Sequence, residues 1–254
     1  MTTTTAPQTL LLDTQLKRLK LPTFTRHYRK LATQAEQSNQ TYEQFLLALV
    51  ELEIQAREDN VRRQRIRQAR FPASKTLSQF DFTALPALNK PQVLKLAQGE
   101  YLAKAENVVL LGNSGTGKTH LAIALGMEAC KQGKRVAFHT AAELATILTE
   151  AQSQYRLSRV EHRLRQWDLL IVDELGYLAL DETSVKLLFS VFSQRYERGS
   201  VLLTTNLPFE QWEGVFQDAA MTVALVDRLT HHCHLLEMNG DSYRFKESLR
   251  ERQS

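Results

Sequence analysis

The sequence predicts an α/β fold, a parallel sheet flanked by helices, with a small N-terminal all-α domain. Three observations carry this. Short apolar runs recur beyond residue 106, and stretches of helical composition separate them. The first run, residues 107–111, passes straight into a glycine-rich loop and then a helix, the order found in parallel sheets. Residues 10–70 instead follow helical periodicity.

In the N-terminal region, Leu12, Leu16 and Leu19 form a short helical pattern over 10–21, closed by Pro22. Phe24, Tyr28, Leu31 and Ala35 continue at helical spacing, and a break follows at 39–41. Thr41-Tyr42-Glu43-Gln44 reads as a capping box. Behind it, Tyr42, Phe45, Leu46, Leu49 and Val50 have the spacing of a buried helical face, so a compact bundle is expected. That helix runs into Arg57, Arg62, Arg63, Arg65, Arg67 and Arg70, six arginines in 14 residues distributed around the axis. Arginine suits bidentate phosphate contact, so the functional reading is a clamp on a duplex backbone; a solvated helix end is the bland one. Residues 71–90 hold Pro72 and Pro86 with Ser and Thr between them and read as a linker. The expected domains are therefore 1–70, a linker at 71–90, and a nucleotide domain over 91–254.

Within that domain, strands are expected at 107–111, 135–139, 167–173 and 200–205, and helices at 119–130, 141–148, 150–166, 183–198 and 218–230. Residues 234–238, Asn239-Gly240 and 242–245 resemble a hairpin with a type I′ turn.

The chemistry concentrates at strand ends. Gly112, Asn113, Ser114, Gly115, Thr116, Gly117, Lys118 and Thr119 form a complete G-x-x-x-x-G-K-[ST] loop, followed by His120. Glycines let the main chain wrap a phosphate chain, and Lys118 supplies a point charge to it. The Thr119 hydroxyl is placed to ligate Mg²⁺, and the following helix directs its positive end at the same phosphates. About 55 residues on, an apolar run ends in Asp173-Glu174. Asp173 suits the Mg²⁺ shell, and Glu174 suits polarising a water for attack on the γ-phosphate of ATP. Asn206, ending the next strand, suits orienting that water. Arg156, Arg159 and Arg163 share one helical face and form a second basic stripe. Contacts of this kind reach phosphates and carry weak sequence preference. His231-His232-Cys233-His234 lacks zinc-site spacing and reads as a helix end entering a strand.

Net charge is +4, but residues 1–75 carry 13 Lys/Arg against 7 Asp/Glu, while the remainder carries 19 against 21. The basic excess sits in the appendage, as expected where an appendage touches nucleic acid. Two cysteines far apart suit a reducing cytoplasm, and no apolar run reaches membrane-spanning length.

The order of the 112–119 loop, Asp173-Glu174 and Asn206 resembles the AAA+ ATPases. That resemblance implies an arginine finger reaching a neighbouring subunit's nucleotide, a slot that Arg228 in Val226-Asp227-Arg228-Leu229 fits, and hence a homo-oligomer with nucleotide at its interfaces. Only 26 residues follow Arg228, too few for the helical lid of that class. The lid-less end, with Gly240-Asp241-Ser242-Tyr243-Arg244, resembles the DnaC helicase loaders and the IstB transposition helper ATPases. Asp173-Glu174-Leu175-Gly176-Tyr177, Thr204-Thr205-Asn206-Leu207-Pro208 and the Leu225–His232 phrase are more similar to IstB. The IstB resemblance implies an ATPase that assembles on duplex DNA, selects or shapes the target and stimulates a cognate transposase. The loader resemblance implies single-strand preference and a helicase partner. A nucleotide-gated interaction protein with little turnover is the third reading, opposed by Glu174. Arg244 is a further candidate for nucleotide contact.

Overall fold

The computed structural model describes residues 5–177, 180–216, 218–240 and 242–243. The chain divides into two compact units, Met1–Gln64 and Arg65–Ser254.

The N-terminal unit holds α1 (Thr5–Arg18), α2 (Pro22–Gln37) and most of α3 (Tyr42–Ala69). Pro22 does not close the first helix; it opens α2 at its first turn, where the missing N–H costs nothing. The capping box forms, with Thr41 and Gln44 exchanging side-chain and backbone hydrogen bonds at 3.0 and 3.3 Å. The expected buried face of α3 does not: Leu49 is buried, but Tyr42, Leu46 and Val50 are exposed. Few described elements lie against α3 in this unit, so one side of it is covered and the rest is open. Glu53 makes the polar tie, accepting from the Thr23 amide at 3.1 Å and the Arg57 guanidinium at 2.7 Å.

The second unit begins at the end of α3. Two single 3₁₀ turns (Leu77–Gln79 and Phe82–Ala84) precede α4 (Lys90–Ala97) and α5 (Glu100–Ala103). There follow β1 (Asn107–Leu111), α6 (Lys118–Lys131), β2 (Val136–Thr140), α7 (Ala141–Ser153), α8 (Leu157–Arg165) and β3 (Leu169–Leu175). The chain continues through α9 (Glu182–Arg195), β4 (Ser200–Thr205), α10 (Glu213–Phe216), α11 (Ala219–Thr230) and β5 (Cys233–Glu237). All strand pairs are parallel, in the order β2-β3-β4-β1-β5.

Alternation along the strands builds two cores. Val108, Leu110, Leu169, Ile171 and Leu202 face α4 and α6, whereas Val109, Leu170, Val172, Val201 and Leu203 face α7, α9 and α11. Burial on both sides is why these strands read as continuous apolar runs. Of the expected hairpin's returning strand, 242–245, only residues 242 and 243 are described. β5 pairs with β1, and Tyr243 donates its amide to the Gly115 carbonyl at 2.9 Å instead of returning along β5. Asp241, Arg244 and Phe245 lie outside the described residues.

Candidate active site

The carboxyl ends of β1, β3 and β4 open on one edge of the sheet, where parallel α/β sheets take their ligands. Gly117 caps α6 with φ of +91°, a backbone state that a side chain would strain. A Cβ at Gly112 would stand 2.2 Å from the Met238 carbonyl oxygen, so only glycine lets β5 close on the loop. Thr116 is buried and pins the loop by donating to the Asn113 carbonyl at 2.9 Å. Lys118 Nζ donates to the carbonyls of Gly112 and Asn113 at 2.7 Å each, which places the ammonium over the loop. α6 starts at Lys118, so its unpaired N–H groups face the same space.

Thr119 Oγ1 lies 3.1 and 3.0 Å from the two carboxylate oxygens of the buried Asp173. A second hydroxyl, that of Thr204, donates to Asp173 Oδ1 and accepts the Glu174 amide at 2.9 Å. Register slips between Val172 and Leu175, where β3 carries one residue more than β4. Glu174 is in that bulge with φ of +62° and is exposed although its neighbours are buried. Bulges and positive φ of this kind re-aim side chains beside active sites. Here Glu174 lines a cavity of about 100 Å³ with Ser114, Lys118, Thr119, Thr204 and Asn206. Thr204 was not foreseen as a site residue. Its only signal in the sequence is a polar residue at the end of an apolar strand.

A larger cavity, about 560 Å³, adjoins Thr116, Thr119 and His120. Its other wall is residues 72–85, read above as linker, together with Tyr243. The Phe80 ring meets His120 edge-on at 5.4 Å, and His120 Nε2 lies 3.0 Å from the Thr76 carbonyl. This space suits the nucleoside end of a nucleotide whose phosphates rest on the loop. Phe80 and Phe82 in a Pro-rich stretch were the available signal.

Arg228 is not part of either cavity. It lies on α11, donating to the Ala224 carbonyl at 2.8 Å, with its guanidinium 5.3 Å from the centre of the Phe189 ring. His231 and His232, at the junction of α11 and β5, stand with Glu197 so that one ligand atom of each falls within 4.8 Å of the others. All three are exposed, and Tyr196 bonds His231 Nδ1 at 2.8 Å. The arginine runs divide. Arg57 pairs with Glu53 and the Lys20 carbonyl, and Arg62 with Asp59 at 3.3 Å. Arg63 is exposed, and Arg65 lies against Gly133. Arg156 bonds Gln154, and Arg159 lines a groove between α7 and α8. Arg67, Arg70 and Arg163 come together around one separate cavity.

The phosphate loop, the strand-end Asp173 and the parallel sheet define a P-loop nucleotide-binding protein of the AAA+ fold. Solved structures agree. AMPPCP-bound DnaA from Aquifex aeolicus superposes with a TM-score of 0.58 at 26% identity, over 72% of this chain and 56% of that one. DnaI superposes with a TM-score of 0.53 at 18% identity over 71% and 92%. This chain thus spans little more than half of the DnaA chain. The family model described as IstB-like ATP binding protein matches residues 14–251. An ATP-binding protein of insertion sequence IS21 from Pseudomonas aeruginosa is 39% identical over 93% of this chain and 89% of its own length. One of insertion sequence IS232 from Bacillus thuringiensis is 37% identical over 93% and 94%. The chain belongs to the IstB-like family of insertion-sequence ATP-binding proteins.

Proposed function

We propose that this chain is an ATP-hydrolysing helper of insertion-sequence transposition. It assembles on duplex DNA with ATP, selects or shapes the target, and stimulates a partner transposase in the cytoplasm. The observation that carries hydrolysis is the placement of Glu174, turned out of the β3 ladder into the cavity over the phosphate loop. The setting in transposition rests on family membership.

Lys118 and the loop amides bind the phosphates, and Glu174 accepts the proton of an attacking water that Asn206 orients. Thr119 and Asp173 offer a hydroxyl and a carboxylate 3.0–3.1 Å apart, oxygen donors that fit Mg²⁺. Bound there, the ion would neutralise charge on the β- and γ-phosphates. Arg228, outside both cavities described above, serves the nucleotide of a neighbouring protomer, so turnover requires a homo-oligomer. Residues 1–70 form the part that faces DNA and transposase.

Sedimentation of Glu174→Gln with ATP and equal lengths of duplex or single-stranded DNA tests this reading. Large complexes on duplex alone support it; single-strand preference turns the assignment to a helicase loader. DNA-stimulated turnover that survives Arg228→Ala removes the finger.

A further inference from the structure

The two arginine runs, separate in sequence, meet along β2, an edge strand of the sheet. A cavity of about 560 Å³ lies there, sharing no lining residue with the phosphate loop. Three strand steps separate β2 from β1, about 14 Å at 4.7–4.9 Å per step. Arg67 and Arg70 enter from the end of α3, Arg163 from α8, and Arg135 from the residue before β2. The buried Ala69, Phe138 and Leu164 contribute the apolar lining.

Four guanidinium groups around one cavity repel one another. Among the described residues only Arg135 has an acidic partner, Asp168 at 3.7 Å. Arg70 moreover holds φ of +59°, in the left-handed region that favours glycine. His139, also lining the cavity, is held below the usual histidine range by burial and by Arg70 and Arg163, with Glu143 opposing. The site as it stands is therefore a net positive cavity in which, among the described residues, Arg67, Arg70 and Arg163 have no acidic partner in an ion pair.

It is also the end of a groove. Arg163 and Gln166 are shared with the cleft between α7 and α8, which Arg156 and Arg159 line. From position 156 to position 163 the helical rise is about 10 Å, the rise of about three phosphates along one strand. A single inorganic phosphate fills one end of such a site; an extended phosphodiester fills both. Arginine forks suit phosphate oxygens and ignore base identity.

We infer that this pocket, with the α8 groove leading from it, seats the phosphate backbone of DNA, and that Arg67, Arg70, Arg135 and Arg163 are its contacts. The inference rests on the duplex-binding reading above and adds Arg135 and the pocket itself to it. Arg57 and Arg62, paired locally, are not part of the seat.

The test is fluorescence anisotropy of a labelled duplex with the full-length protein and ATP, across a salt series. Each phosphate contact contributes about 0.9 to the slope of log K against log salt, so Arg70→Gln/Arg163→Gln should flatten it by about 2. Affinity should fall roughly tenfold or more at 0.15 M salt. Affinity for a fluorescent ATP analogue should not move, and Arg70→Lys/Arg163→Lys should restore the slope. If the double variant fails to fold, the exposed Arg67→Gln carries the same readout, with a slope change of about 1. An unchanged slope and affinity in a folded variant overturn the pocket and leave the duplex reading standing. Wild-type protein that ignores duplex overturns both. Polyglutamate that displaces the duplex at equal charge, with the same loss in the variant, overturns the phosphodiester assignment.

Discussion

Replacing Thr204 with valine removes one hydroxyl and almost no volume, and the structure assigns that hydroxyl two tasks. It donates to the buried Asp173 carboxylate and accepts the amide of Glu174. A hydrogen bond to a charged group contributes about 1.5–3 kcal/mol, and an orphaned amide costs about 1–3 kcal/mol more. The left-handed backbone at Glu174 is then held by the flanking ladder and by its own carbonyl, which accepts the Tyr177 amide at 3.3 Å. If the charged bond alone is lost in the transition state, turnover falls about 10- to 150-fold, at 1.36 kcal/mol per decade. ATP affinity, which the proposed site assigns to the loop and Lys118, should stay within about threefold. Steady-state phosphate release and equilibrium binding of a fluorescent ATP analogue separate the two effects, and Thr204→Ser should recover turnover. A folded Thr204→Val protein with wild-type kcat would refute the view that this hydroxyl positions Asp173 and Glu174 for the proposed hydrolysis.

Three further outcomes follow from other contacts. Arg195 is buried and donates to the carbonyls of Leu164, Trp167 and Ser200 at 2.6–3.0 Å, so Arg195→Met should cost about 1.5–3 kcal/mol, the contribution of a hydrogen bond from a charged donor, read as a lowered denaturant midpoint. His139 is held below its unfolded pKa, so the unfolded chain takes up the proton first as pH falls through about 6.5. Stability should decline from there towards the lower folded pKa, and His139→Gln should flatten that part of a denaturation series. Glu53→Ala leaves the Thr23 amide and Arg57 without their shared acceptor; about 2–3 kcal/mol should be lost from the N-terminal unit, seen as faster proteolysis within residues 5–64 at unchanged ATP affinity.

What could be read from sequence follows from how local each cause is. The phosphate loop, β1 and α6 are contiguous, so residues 107–131 announced themselves. The central strands did too, because burial on both faces leaves no polar alternation to confuse with a helix. Asn239-Gly240 carries a local turn signal, but the bond of the Tyr243 amide to the Gly115 carbonyl, 128 positions away, has no local pattern to announce it. The apolar spacing on α3 was real, but spacing does not say whether anything lies over it, and Tyr42 stands open. The bulge at Glu174 leaves no trace in Asp173-Glu174, since an in-register strand and a bulged one have the same letters. The meeting of Arg70 with Arg163 needed the path of β2 between them.

The strand order also sets a timetable for synthesis. β1 ends at Leu111, but its two neighbours are β4 and β5, which end at Thr205 and Glu237. At about 5–20 residues per second, roughly 5–20 s pass between the emergence of β1 and that of its first partner. Throughout that interval Val108-Val109-Leu110-Leu111 is an unpaired apolar strand with both edges open. The segment that leads into the phosphate loop is thus an aggregation hazard of the nascent chain, and soluble yield should respond to translation rate and chaperone supply as well as to the stability of the finished sheet.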